Sequence, residues 1–69
     1  MSKPLISLII PCWNEEQMVA IFYTETSRAI KNIDVDFEFL FIDDGSSDDT
    51  YGALMKLADK DNRVRILRL

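Results

Sequence analysis

Two short apolar runs constrain this chain more than anything else in it: LISLII at 5–10 and FEFLFI at 37–42. Apart from Ser7 and Glu38, every position in both is apolar. A half-solvated strand alternates; a near-continuous run of this length is the pattern of a parallel strand covered on both faces. Parallel neighbours cannot be joined by a tight turn. They need a crossover, usually helical. The sequence between the runs has to supply one.

It does so at 15–33, where Val19, Phe22, Ala29 and Ile33, with Met18 and Ile30, recur at spacings of three and four. Glu15 and Glu16 fall in the first turn, where the helix dipole favours negative charge. Asn14 stands at the N-cap position. Pro11 is expected to end the first strand, because proline cannot donate to a central ladder. After the second strand a second helix is expected from Ser46 or Ser47. Ser46 and Asp49 have capping-box spacing, and Tyr51, Leu54, Leu57 and Ala58 form the apolar stripe. Gly52 inside that helix suggests close packing. Asp61 and Asn62 turn the chain into a third strand, RVRILRL, at 63–69.

Strand, helix, strand, helix, strand implies right-handed crossovers and a Rossmann-like α/β sheet of parallel strands, βαβαβ. Helices on one side of three strands leave the other sheet face bare. Residues 1–69 are therefore expected to be the first part of a larger α/β domain. The bare face is a route to self-association.

Composition excludes several functions. A net charge of −4 speaks against a nucleic-acid partner, which needs a basic face. Arg63, Arg65 and Arg68 read as solvated strand-edge residues. With no histidine, nothing here offers an imidazole base. The one cysteine, Cys12, allows no internal disulfide and suits a reducing, cytoplasmic compartment. Neither apolar run approaches membrane-spanning length, and no secretory cleavage pattern follows the first. There is no G-x-x-x-x-G-K-S/T or G-x-G-x-x-G, and the acidic run does not fit a calcium loop.

Parallel α/β sheets bind ligands beyond the carboxyl ends of their strands. The first end carries Pro11, Cys12, Trp13, Asn14 and Glu15; the second carries Asp43, Asp44, Gly45 and Ser46. Neighbouring strands bring these loops face to face, and the set suits a nucleotide. Trp13 could stack on a base. Asp43, acceptor-only when ionised, suits a ring N–H of uracil or guanine. Glu15 or Asp44 could take ribose hydroxyls. The plainer readings are that Trp13 caps the core and that Glu15 only complements the helix dipole. Asp48 and Asp49 read as first-turn residues. Asp43 is harder to explain structurally, because a carboxylate ending an apolar strand loses hydration unless something pairs with it.

IIPCWNEE at 9–16 with FLFIDDGSSDDT at 39–50 resembles the opening of family 2 glycosyltransferases: a strand, Pro-x-Tyr-Asn-Glu, a helix, a strand, then Asp-Asp-Gly-Ser-x-Asp-x-Thr. LADKDNRVRILRL resembles the stretch that leads into the family's third strand, so the likeness covers essentially the whole chain. Within the family it looks closest to polyprenyl-phosphate sugar transferases. The resemblance implies a GT-A fold binding a UDP- or GDP-sugar, with Pro11, Trp13, Glu15 and Asp43 lining the base and ribose site and Asp44 and Ser46 shaping the same loop. Trp13 stands where tyrosine is usual. The family's metal-binding Asp-x-Asp motif, for Mg2+ or Mn2+, is expected after a later strand, so this segment ligates no metal and holds no catalytic residue. A polyprenyl-phosphate acceptor and an anchor at the cytoplasmic face of a membrane are implied for the parent enzyme. Two other classes share parts of this pattern. A receiver-type signalling domain would need its acidic pair after the first strand and an aspartate ending the third. A non-catalytic α/β scaffold would assemble with a partner through the bare sheet face.

Overall fold

The computed structural model describes residues 3–69. It contains β1 (Leu5–Cys12), α1 (Glu16–Ile30), β2 (Asp36–Asp43), α2 (Thr50–Lys60) and β3 (Val64–Arg68). The strands form one parallel sheet in the order β1-β2-β3, as the alternation of elements demands. Register pairs Cys12 with Asp43 and Asp43 with Arg68, so the three carboxyl ends lie level.

Side-chain alternation sorts each strand into two faces. Cys12, Phe39, Phe41 and Val64 are buried beneath Val19 of α1 and Leu54 and Leu57 of α2. Leu8, Ile10, Tyr23, Ile30, Ala53, Ala58 and Ile66 pack around that cluster. Phe39 is its centre, with Tyr23 tilted across it at 5.4 Å and Phe41 stacked at 6.1 Å between centroids. The alternate residues face away from the helices. There Ile9 is 62% exposed and Leu67 48%. Among the described residues nothing covers that face, although strands apolar on both sides are the pattern of a sheet covered on both.

Four local expectations need correction. Pro11 does not end β1; it pairs in register with Ile42. The Asp36 N–H donates to the Pro4 carbonyl and the Asp44 N–H to that of Cys12, so the even-numbered residues here face β2. Pro11 points the other way, and its missing N–H costs the β1–β2 ladder nothing. Second, α1 stops at Ile30, because the chain must turn through 31–35 to enter β2; Ile33 is left 52% exposed. Third, α2 begins at Thr50 with Asp49 at its N-cap and no side-chain cap bond, so Ser46 and Asp49 make no capping box. Fourth, what crowds Gly52 is the carboxylate of Asp49, not another element.

Candidate functional site

The loops after β1 and β2 do face one another, and they are bonded together. Neither N-cap residue makes a side-chain cap bond. The N–H groups at each helix start, which need acceptors from somewhere, find them largely across the two loops, while the Thr50 N–H donates to Asp48 Oδ1 of its own loop at 3.0 Å. The Glu15 N–H donates to Thr50 Oγ1 at 2.9 Å and the Glu16 N–H to Asp48 Oδ2 at 3.3 Å. In return the Asp49 N–H donates to Glu16 Oε1 at 3.1 Å. Asn14 was expected to cap α1. Instead its Oδ1 accepts from the N–H of Ser47 at 2.7 Å, while its own N–H donates to Ser46 Oγ at 2.9 Å. Thr50 is fully buried at the centre of this exchange and also donates to Asp48. That bond to Thr50 is the chief reason the Asp48 carboxyl is held below the usual range.

Asp43 and Asp44 end up in opposite environments. Strand alternation puts Asp43 on the helix face in line with Phe39 and Phe41, and it has no exposed surface. Its Oδ1 accepts from the Ser46 N–H at 3.2 Å. Its Oδ2 has no hydrogen-bond partner; the nearest cation is Arg68, Nε at 3.9 Å, whose guanidinium lies 4.4 Å over the Tyr51 ring. Asp43 was expected to meet a base directly, and its carboxylate is enclosed by protein. Asp44, one residue on, is exposed. Gly45 follows with φ 70°, the left-handed turn that glycine enters without strain.

Trp13 is 62% exposed above the end of β1, so it does not cap the core. Pro11 and Glu15 are exposed beside it and Ser46 is half-buried. Cys12 is buried between them; burial, reinforced by Glu15 and Asp43, pushes its thiol up. An apolar cleft of about 110 Å³ opens beside Cys12 and Glu15, floored by Ile10 and Phe41 and walled by Met18, Val19 and Phe22.

The three arginines are not merely solvated. Arg63 is bonded to Asp61, Arg65 lies 3.5 Å from Glu38, and Arg68 approaches Asp43. Thr50 carried no signal as a site residue; Asp48 read as a first-turn residue and Arg68 as a solvated strand-edge one. Asn14 carried a weak signal: asparagine tolerates positive φ, and here it has φ 50°.

An exposed aromatic plate and an exposed carboxylate stand at the carboxyl edge of a parallel sheet, the edge at which α/β proteins of this class place their ligands. The family follows from comparison. The model of glycosyl transferase family 2 matches residues 7–69, and the chain belongs to that family. It is 40% identical over 67 residues to CsbB of Bacillus subtilis (strain 168), whose name proposes a glycosyltransferase; that match covers 97% of this chain and 20% of CsbB. It is 35% identical over 54 residues to the undecaprenyl-phosphate 4-deoxy-4-formamido-L-arabinose transferase of Sodalis glossinidius (strain morsitans), covering 78% of this chain and 17% of that protein. The protein of the same name from Proteus mirabilis (strain HI4320) is 33% identical over 60 residues, covering 86% of this chain and 18% of its own length. The chain thus spans about a fifth of the length of the curated relatives it matches.

Proposed function

We propose that this chain forms the donor-nucleotide side of a glycosyltransferase that moves a sugar from a UDP- or GDP-sugar to a polyprenyl phosphate. The observation that carries the reading is the pairing of exposed Trp13 with exposed Asp44 on adjacent strand ends whose loops are bonded together. Trp13 offers a face for base stacking. Asp44, acceptor-only when ionised, takes a base or ribose donor. Pro11, Glu15 and Ser46 line the same edge. Asp43 sits beneath, holding the loop through the Ser46 N–H. The undecaprenyl-phosphate transferases among the relatives support the lipid-phosphate acceptor and, with it, a parent held at the cytoplasmic face of a membrane. No described helix is long and apolar enough to cross one.

The N–H groups that open the helices are partly committed: those of Glu15 and Glu16 to Thr50 and Asp48, that of Asp49 to Glu16 and that of Thr50 to Asp48. A cation is the further neutraliser that a diphosphate leaving group calls for. The described residues do not fit Mg2+ or Mn2+: Asp43 is enclosed, Asp48 is committed to Thr50 and the Glu16 N–H, and no third ligand joins them. In the proposed enzyme such an ion is held by residues outside this chain.

Calorimetric titration of the complete protein with UDP and GDP tests the reading. Asp44→Ala should weaken the nucleotide that binds by about 5–150-fold, the cost of an unpaired polar group at about 1–3 kcal/mol. Trp13→Ala should lose a comparable amount. Unchanged affinity in both variants, with thermal unfolding intact, would refute the assignment. A second reading, assembly through the bare sheet face, is favoured by exposed Ile9 and Leu67. It predicts concentration-dependent association that neither nucleotide alters.

A further inference from the structure

We propose that Asn14 is a positioning residue of this site, fixing Trp13 and Asp44 relative to each other from between the two loops. The inference rests on the donor-site reading above and names a residue that reading does not use for contact. Asn14 has φ 50°, the left-handed region in which asparagine is enriched and most side chains are strained. That conformation turns the chain sharply between Trp13 and the start of α1.

Its backbone and side chain then grip the opposite loop at successive residues. The Asn14 N–H donates to Ser46 Oγ at 2.9 Å. Its Oδ1 accepts from the Ser47 N–H at 2.7 Å, from Ser47 Oγ at 3.3 Å and from the Asp48 N–H at 3.4 Å. Trp13 lies one residue before this grip on one loop, and Asp44 two residues before Ser46 on the other. The intervening Gly45 has φ 70° and nothing within 4 Å of where a Cβ would stand. On that side the grip on Ser46 and Ser47 adds to the bond from the Ser46 N–H to Asp43 Oδ1, while the Asp44 N–H is tied to the Cys12 carbonyl. Asn14 meets two needs at once. It accepts a positive φ, and it presents an acceptor to N–H groups ahead of α2 that no residue of their own loop satisfies. Glycine would supply the first without the second, and alanine neither.

This separation gives the experiment. The complete protein and its Asn14→Ala, Asn14→Gly, Asn14→Asp and Ser46→Ala variants are titrated with UDP and GDP, and also with uridine and guanosine. Thermal unfolding is recorded for each. Asn14→Ala and Asn14→Gly should both bind at least tenfold more weakly while still unfolding cooperatively well above the assay temperature. Ser46→Ala should lose affinity in the same direction. Asn14→Asp keeps the acceptor and tolerates positive φ, so it should recover binding of the uncharged nucleosides. In turnover, Asn14→Gly should raise the KM for the sugar donor and leave the acceptor's KM unchanged. Wild-type affinity in Asn14→Gly overturns the proposal, because the backbone turn alone would then suffice. An affinity loss that appears only with collapse of the thermal transition also overturns it, in favour of a scaffolding role. If the wild type binds no nucleotide, the donor-site reading falls and the inference with it. If the wild type binds and every variant binds equally, the inference falls alone.

Discussion

Asp61 ties the two halves of this fold together, and removing its charge is the sharpest test of how they are held. The residue closes α2 and leads into β3. Tyr23 of α1 donates its hydroxyl to Asp61 Oδ2 at 2.5 Å. Arg63 donates Nε to Oδ1 at 3.0 Å and Nη2 to Oδ2 at 2.8 Å, and its backbone N–H reaches Oδ1 at 2.9 Å. The Asp61 side chain is only 11% exposed. These bonds hold its carboxyl well below the usual carboxylate range, Arg63 contributing most and Tyr23 next, against the opposing effect of burial. A hydrogen bond to a charged group is worth about 1.5–3 kcal/mol. Arg63 is partly solvated, so its share is discounted. Asp61→Asn should then cost about 2–3 kcal/mol at pH 7, since the amide nitrogen of Asn must face a donor. Tyr23→Phe should cost about 1.5 kcal/mol, because the carboxylate keeps Arg63. The pH dependence follows from the depressed pKa. The stabilisation is complete above the unfolded value, near 3.9, and is lost as pH falls toward the folded value. At pH 3 about 1 kcal/mol should already be gone. Urea denaturation of wild type and Asp61→Asn at pH 7 and pH 3 measures this. An Asp61→Asn penalty of equal size at both pH values would refute the reasoning.

Two further outcomes follow from packing. Phe39→Ala should cost about 3–5 kcal/mol, because Phe39 is fully buried at the centre of the core; Phe22→Ala, at a residue 41% exposed, should cost far less, and denaturant midpoints will rank them. Gly52→Ala should be neutral or stabilise by up to about 1 kcal/mol, since only the Asp49 side chain, which is exposed, must swing aside to admit the new methyl group; a loss of thermal stability would show that Asp49 is held where it stands.

Phe39, Phe41, Leu54 and Leu57 show how much of the architecture was legible in the chain. Two apolar runs joined by a 3.6-period segment permit little besides parallel strands with a crossover helix, and that logic is local. The apolar stripe of α2 was legible for the same reason, with Leu54 and Leu57 buried and Tyr51 and Ala58 beside them. The level of the two strand ends also followed, because adjacent parallel strands bring their carboxyl ends together. The stripe of α1 was less faithful. Tyr23 packs on Phe39 although the periodicity did not single it out, whereas Met18 and Ile33 lie more than half exposed. An apolar side chain on a helix is buried only if something stands opposite it.

What the sequence by itself determined is the order of elements, their pairing and the edge of the sheet to which the loops at 11–15 and 43–46 are brought. Each of these depends on spacing along the chain. Tertiary structure alone decided which of two adjacent aspartates faces solvent, because a one-residue difference in phase along a strand sends a side chain to the opposite face. It also decided that Asn14 serves the other loop rather than its own helix, that Thr50 and Asp48 satisfy α1, and that Arg68 comes to rest beside Asp43. These partners are more than thirty residues apart for Asn14 and Thr50, and such bonds are fixed only once the sheet has set the register of both loops.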